Sequence, residues 1–454
     1  MNALMITTLV IFVITYALMF AFQKIRPYVA LGAAALFVII GTLGVFPEFR
    51  YSLGDAVAKI DFNVLLMITG TMGTVYFFIE SKMPNLLADL VVSKTGTVKV
   101  MVLALSLFAG IISAFVDNVA TVLMVAPVAI AICKKQKISP VPVIICIAVS
   151  SNLQGAATLV GDTTSILLAK SADLDFMGFF WCEGRPGMFF VTEAGALASA
   201  LIILWMFRDQ NQKIEAGGRT KVEDKVPAIL MVLTIVTLIA ASFIPYEEQA
   251  AEGQFYKPDI TNGLICMGYY LIGMVWQLIR NKNAKSVIAS VKELDFYTLA
   301  LLAGLFIVIG AIEEAGLIDL IGEKLALLGG GGTKGSIFLV YSVIVWVSVL
   351  LSAFIDNIPY TATMLPVVAV LAATLSKNTG IAVNPNLFYF GLLVGATLGG
   401  NLTPIGASAN ITGLGILRKE GHEVSTGEFM KYGVPFTLAA VITGYLLVWI
   451  LWSH

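Results

Sequence analysis

Apolar runs of about 20 residues follow one another along this chain, and two longer ones carry Asp-Asn near their middle. "SAFVDNVATVLMVAPVAIAI" occupies Ser113 to Ile132, and "SAFIDNIPYTATMLPVVAVL" occupies Ser352 to Leu371. A hydrocarbon layer about 30 Å thick needs about 20 residues per helix, whereas a soluble interior cannot absorb so many such segments. With 58% hydrophobic and 13% charged residues and a mean hydropathy of +0.90, the chain reads as an all-α polytopic membrane protein. A net charge of -1, with basic residues spread over short loops, leaves no field for holding nucleic acid. Cys133, Cys146, Cys182 and Cys266 lack CxxC or Cys/His spacing, and the only histidines are His422 and His454. No zinc site, Ser/His/Asp set or resident cofactor is therefore expected, and the chain is not read as an enzyme.

Spans are predicted at residues 3–22, 28–46, 62–79, 141–169, 189–207, 228–245, 260–279, 296–312, 386–417 and 434–452. The first is read as retained and not as a signal peptide, because Gln23, Lys24 and Arg26 follow it without a small-residue cleavage site. Lys and Arg near span ends mark the cytoplasmic side. By that rule Lys24 and Arg26, Lys134, Lys135 and Lys137, Arg208 to Lys225, Arg280, Lys282 and Lys285, and Arg418 and Lys419 are cytoplasmic. Glu247, Glu248 and Glu252, and the Glu313, Glu314, Asp319 loop, fall outside. The alternation holds if the long runs 98–132 and 336–374 each enter and leave on one side, as two re-entrant hairpins, one opening inward and one outward. It holds equally if each is a pair of full spans, so length is the discriminator. Val119 to Cys133 reaches only about 22 Å at 1.5 Å per residue, which favours the re-entrant hairpins.

The chain also repeats itself. "DFNVLLMITGTMGTVYFFIESKMPNLLADLV" from Asp61 realigns with "DFYTLALLAGLFIVIGAIEEAGLIDLIGEKL" from Asp295, and "GAATLVGDTTSILL" from Gly155 realigns with "GNLTPIGASANITG" from Gly400. Asp61 to Asp295, Asp117 to Asp356 and Thr158 to Thr403 are separated by 234, 239 and 245 residues. The expected organisation is a first repeat over 1–207, a cytoplasmic linker over 208–227 that contains Gly217 and Gly218, and a second repeat over 228–454. Each copy holds five spans plus one hairpin, and because five is odd the second copy enters the membrane inverted. Inverted repeats are the ground plan of many secondary transporters, with the binding site near the midplane.

A carboxylate at mid-bilayer depth costs at least about 2.5 kcal/mol unless it has a partner. Asp117, Asp162 and Asp356 have no Lys or Arg within their own runs. That leaves a bound cation, a proton or backbone N–H groups. At a hairpin tip one helix end presents free carbonyls and the next presents free N–H groups, so a small cation and an anion both find partners there. The purely structural alternative makes Asp117 and Asp356 N-caps of the second arms, a task Ser or Thr performs without bringing charge. Asp117, Asn118, Asp356 and Asn357 are the expected Na+ site, with Thr121 and Thr361 on the same arms. Two polar, Gly-rich stretches, "SSNLQGAATLVGDTTS" and "GATLGGNLTPIGASAN", interrupt the runs 141–169 and 386–417 as broken helices. Irregular backbone at that depth is tolerated only where it is buried in protein or lines a cavity. These stretches add Asn152, Thr158, Gly161, Asp162, Thr163 and Ser165, and Asn401, Thr403, Gly406, Ser408 and Asn410, to the candidate site. Close packing of small residues between helices is the competing explanation. "LGGGGTKG" at Leu328 to Gly335 follows no strand and reads as a loop.

The hairpin motifs "FVDNVATVLMVAPV" and "FIDNIPYTATMLPVV", with "GGNLTPIGASANI", resemble the ion transporter superfamily in its arsenite permease, NhaD antiporter and melanosomal P protein branch. More distantly they resemble the sodium-coupled dicarboxylate and citrate transporters, which carry Ser-Asn-Thr where this chain has Asp117-Asn118-Val119 and Asp356-Asn357-Ile358. The resemblance covers nearly the whole chain. It implies a homodimer with a scaffold domain at the interface and a transport domain that moves like an elevator. One departure stands out: Gly161-Asp162-Thr163-Thr164-Ser165 replaces the Gly-Asp-Pro-Pro-Asn usual in the P-protein-like branch.

The expected function is secondary active transport coupled to Na+ or H+, in contact with membrane lipid, in a plasma or inner membrane. Na+/H+ exchange is preferred over a permease for a small anion or oxyacid such as arsenite, citrate or a dicarboxylate. An ion channel is the alternative from another class. Cysteines introduced at Lys135 and Glu248 should react with impermeant reagents from opposite faces of the membrane; labelling from one face would refute the topology.

Overall fold

The computed structural model describes every residue except 215–218, 248, 249, 252, 330–332 and 454. Gly217, Gly218, Glu248, Glu252, the central glycines of "LGGGGTKG" and His454 lie outside the described residues. The first half runs α1 (Ala3–Ala21), α2 (Arg26–Thr42), α3 (Leu53–Ala58), α4 (Phe62–Glu80), α5 (Met83–Val92), α6 (Val98–Ser113), α7 (Asn118–Gln136), α8 (Val141–Gln154) and α9 (Thr163–Ser171). A two-stranded hairpin of β1 (Trp181–Cys182) and β2 (Arg185–Pro186) precedes α10 (Met188–Met206). The second half comprises α11 (Val226–Ala241), α12 (Thr261–Asn281), α13 (Lys285–Lys292), α14 (Phe296–Glu314), α15 (Leu317–Ala326), α16 (Lys334–Ser352), α17 (Asn357–Thr379), α18 (Pro385–Leu393), α19 (Ser408–Lys419) and α20 (Thr426–Trp452). Among the described residues, ten helices are long and apolar enough to cross a membrane. The protein is an integral, multi-pass membrane protein.

Local chemistry sets the helix ends. Asp61 and Asp295 cap α4 and α14, their side chains accepting from the Val64 and Thr298 N–H groups. Thr333 and Ser336 form a reciprocal capping box at α16, and Ser425 caps α20. Proline in the first turn opens α2, α5, α8, α11 and α18, where a missing N–H costs nothing.

Several sequence expectations need correction. The arms after the Asp-Asn pairs are 19 and 23 residues long, about 28 and 34 Å at 1.5 Å per residue. Helix α7 continues past Cys133 because Lys134 and Lys135 suit the negative end of the helix dipole, so the charges that end the apolar run do not end the helix. Arm length therefore does not separate re-entrant hairpins from full spans. Described residues of the linker are bonded to the first half. The Val98 and Lys99 N–H groups donate to the Gln212 and Gln210 carbonyls at 3.0 Å, and the Thr220 N–H and hydroxyl donate to Asp89 at 2.7 and 2.6 Å. The amphipathic α5 and α15, ten residues each, follow left-handed Lys82 and Gly316 and lie in corresponding places 234 residues apart. Helix α20 starts at Thr426, eight residues before the predicted 434.

Among the described residues, the helices gather chiefly around two large apolar cores, with two small clusters beside them. One joins α1, α2, α14, α15 and α17; the larger includes α4, α6 to α10, α16 to α18 and α20. Closest approaches occur at glycine: a Cβ on Gly70 or Gly73 of α4 would run into the α12 backbone or the Tyr270 ring, so these helices touch nearly backbone to backbone. Outward-facing Leu197, Leu201 and Val236 stay more than half exposed, which suits hydrocarbon and not water.

Candidate functional site

Each Asp-Asn pair sits where one helix stops and the next begins. Asp117 Oδ1 accepts from the Val119 and Ala120 N–H groups at 3.0 and 3.2 Å, and Asp356 Oδ1 accepts from the Ile358 N–H at 3.3 Å. Both are thus N-caps, as the structural alternative requires, and both bring a carboxylate in addition.

The two polar stretches are broken helices. Between α8 and α9 the backbone is irregular over residues 155–162; beyond α18 a π-helical turn (Val394–Leu398) and a 3-10 turn (Gly400–Leu402) lead to α19. Each break is stitched to a hairpin tip by equivalent bonds. The Thr158 hydroxyl donates to the Ala114 carbonyl, and the Thr403 hydroxyl to the Ala353 carbonyl. Within each break a second bond recurs: the Ser165 hydroxyl donates to the Gly155 carbonyl at 3.0 Å, and Asn410 Nδ2 to the Gly400 carbonyl at 3.3 Å. Gly161 is so close to its hairpin that a Cβ would lie 3.0 Å from the Ser113 and Ala114 carbonyls; on Gly406 it would lie 2.7 and 2.9 Å from those of Ser352 and Ala353.

The halves differ in charge. Asp162 caps α9 through the Thr163 N–H at 2.8 Å, whereas Ala407 at the corresponding place before α19 has no capping side chain. Asp162 Oδ2 accepts from the Thr164 hydroxyl at 2.9 Å and from Asn357 Nδ2 at 3.4 Å. Thr164 and Thr397 hydroxyls meet at 2.9 Å, Asn152 Nδ2 donates to the Thr397 carbonyl at 2.8 Å, and Asn118 Nδ2 donates to Asn152 Oδ1 at 3.1 Å. One buried chain of hydrogen bonds therefore links the amides of both tips through Asp162. Of the three hydroxyls that replace the usual prolines and amide, Thr164 and Ser165 are engaged inside the protein, holding Asp162 and Gly155, whereas Thr163 lines the adjoining cavity.

Beside this chain lies a cavity of about 300 Å3. Asp117, Asp162, Glu293 and Asp295 line it with Asn118 and Asn357; its described lining includes no Lys, Arg or His. Of the other candidates, Gly161, Thr163 and Ser408 also reach its wall. Thr121, Asn152, Thr158, Thr361, Asn401, Thr403, Gly406 and Asn410 do not; they are buried in the protein. A second cavity of about 290 Å3, lined by Asn63, Lys170, Asp173 and Asp259 among others, lies toward the opposite end of α4. Ile166 of α9 lines both.

Asp356 is outside the lining, and here the expectation of no basic partner fails. Arg26 Nη1 lies 3.0 Å from Asp356 Oδ2, and Arg26 Nε donates to the Met19 carbonyl at 3.0 Å. Sequence reasoning treated Arg26 only as a marker of topology, because 330 residues separate the pair. It also missed Glu293 and Asp295 as cavity groups, although the repeat had aligned Asp295 with Asp61. Among the described residues, no group of three or more His, Cys, Asp or Glu is gathered around one metal position.

The sequence model of CitMHS, the citrate transporter family, matches residues 10–395. The chain belongs to this family. It is 29% identical over 454 residues to an uncharacterised transporter of Mycobacterium tuberculosis, covering 98% of each chain. It is 27% identical to the human P protein over 483 aligned residues, covering 92% of this chain and 56% of that one. The resemblance drawn from the hairpin motifs is borne out by these relatives. Among solved structures, the Alcanivorax borkumensis YdaH transporter superposes with a TM-score of 0.60 at 15% identity, over 95% of this chain and 98% of that one. Neisseria gonorrhoeae MtrF gives 0.54 at 16% identity, over 91% and 84%. This family member therefore has a transporter fold.

Gly161→Ala and Gly406→Ala each force a methyl group against carbonyl oxygens at a tip. Each should cost about 1–3 kcal/mol, the usual penalty for overpacking, read as a lower melting temperature of the purified protein. Unchanged melting in both would mean that the tips are not held by this contact.

Proposed function

We propose that this citrate-transporter family member is a secondary active transporter coupled to Na+ or H+, the cation binding between Asp117 and Asp162. The observation that carries this reading is one cavity lined by four carboxylates and, among the described residues, by no basic side chain. Carboxylates so placed are costly until a cation or proton joins them. Asp162 also accepts from the amide of one tip and connects through Thr164, Thr397 and Asn152 to the amide of the other, so a cation there is felt by both. Na+/H+ exchange is the simplest cargo, because both ions compete for the same carboxylates.

A second reading, a small carboxylate solute carried together with the cation, is favoured by the cavity's size and by the family's description. About 300 Å3 is roughly ten times the volume one water occupies in the liquid. The first N–H groups of α7 and α9 are already taken up by Asp117 and Asp162, so a solute carboxylate would be held by the bound cation, which offsets the carboxylates of the wall. A channel is less well supported, since buried Ile166 stands between the two cavities.

The mechanism proposed is alternating access by an elevator-type movement of the tips and broken helices in a homodimer. The halves 1–207 and 228–454 act as inverted repeats, with the linker cytoplasmic in the plasma or inner membrane. The hydroxyl-to-carbonyl bonds that recur at Thr158 and Thr403 support the duplication.

Proteoliposomes with imposed Na+ and pH gradients test this. A Na+ gradient should move protons, or citrate, against their own gradient, and Asp117→Asn or Asp162→Asn should lower the rate at least about tenfold, equivalent to about 1.4 kcal/mol. Flux that only runs down its own gradient would leave a channel. Wild-type coupling in both variants would remove these residues from the ion site.

A further inference from the structure

Asp117 and Asp356 occupy the same place in the two halves, yet only one is available. Asp117 lines the acidic cavity and meets no Lys or Arg among the described residues. Asp356 lies outside the cavity lining and is bound by Arg26, whose side chain is 10% exposed. A guanidinium remains charged at any physiological pH, so the pair is neutral without an added ion. The positive charge is also tethered: Arg26 is held by the Met19 carbonyl, and the Tyr16 hydroxyl donates to the Pro359 carbonyl at 3.1 Å on the same α17 arm. A dissolved cation competing for Asp356 faces a permanently adjacent rival at high effective concentration. Tyr297, which donates to the Gln23 carbonyl, stands beside the pair, and Asp162 faces it across Asn357.

We infer that Arg26 is a built-in cation that occupies the second of two equivalent carboxylate sites, and so fixes the number of coupling ions at the number the Asp117 side binds. This rests on the proposed cation coupling through Asp117 and Asp162. Arg26 is a specificity-determining residue in this account: it contacts no cargo and acts through Asp356. Removing its charge should open a second ion site at the other tip.

The test is thermal stabilisation of the purified full-length protein in detergent, titrated with Na+ at fixed pH and with acid in Na+-free buffer. Wild type, R26K and R26Q/D356N should show the same saturable components, and R26Q should show one more. If R26Q unfolds readily but is rescued by Na+ or acid, while R26Q/D356N is stable without either, the freed carboxylate is identified by another route. R26Q with only the wild-type components would overturn the inference, as would instability shared by R26Q/D356N and rescued by neither ion; Arg26 would then be a clamp on the tip. Absence of any cation response in wild type would defeat the coupled-transport reading. In that outcome the claim about the number of coupling ions falls with it, while a response acquired by R26Q alone would still identify Arg26 as the occupant of a carboxylate site and no response would refute that too.

Discussion

The structure depends on how two interrupted helices are held inside a membrane protein. A break in a helix exposes carbonyl and N–H groups that hydrocarbon cannot satisfy. Here each break is pressed against a hairpin tip and takes up one of its carbonyls. Thr158 and Thr403 hydroxyls take up the Ala114 and Ala353 carbonyls, while Gly161 and Gly406 allow an approach no side chain would permit. Asp117, Asp162 and Asp356 then cap the helices that restart. The polar atoms of both tips and both breaks thus meet in one hydrogen-bonded network beside the cavity.

Charge turns this symmetric scaffold into an asymmetric device. The first half has Asp162 where the second has Ala407, and the second half's tip carboxylate is matched by Arg26. Unmatched carboxylates therefore collect on one side, where Glu293 and Asp295 join them. Asp162 is the junction: it carries charge into the cavity, and it accepts from the second tip while Thr164 links it toward the first. In the proposed mechanism, a cation arriving there would change the energy of both tips together, which is what coupling requires.

Much of this was legible in the sequence, for physical reasons. Asp-Asn inside an apolar run is costly, and its recurrence in both halves made Asp117 and Asp356 conspicuous. The interruptions at Gly155 to Asp162 and Gly400 to Ala407 announced broken helices through glycine and hydroxyl content alone. What the sequence hid were relations of distance. Nothing local ties Arg26 to Asp356, or Glu293 to Asp117, and the lengths of α7 and α17 exceed their apolar runs because charged and hydroxyl residues continue a helix that hydropathy ends early. Sequence pattern also does not separate hydroxyls that face a cavity, such as Thr163, from those spent on holding the backbone, such as Thr158 and Thr403.

The central claim is that Na+ and protons contend for one carboxylate site at Asp117 and Asp162. Proton release on adding Na+ to the purified, weakly buffered protein measures that contention directly. The account predicts saturable release in the wild type that disappears when both residues are changed to asparagine. Equal release from that double variant, or Na+ binding that displaces no protons at any pH, would contradict it.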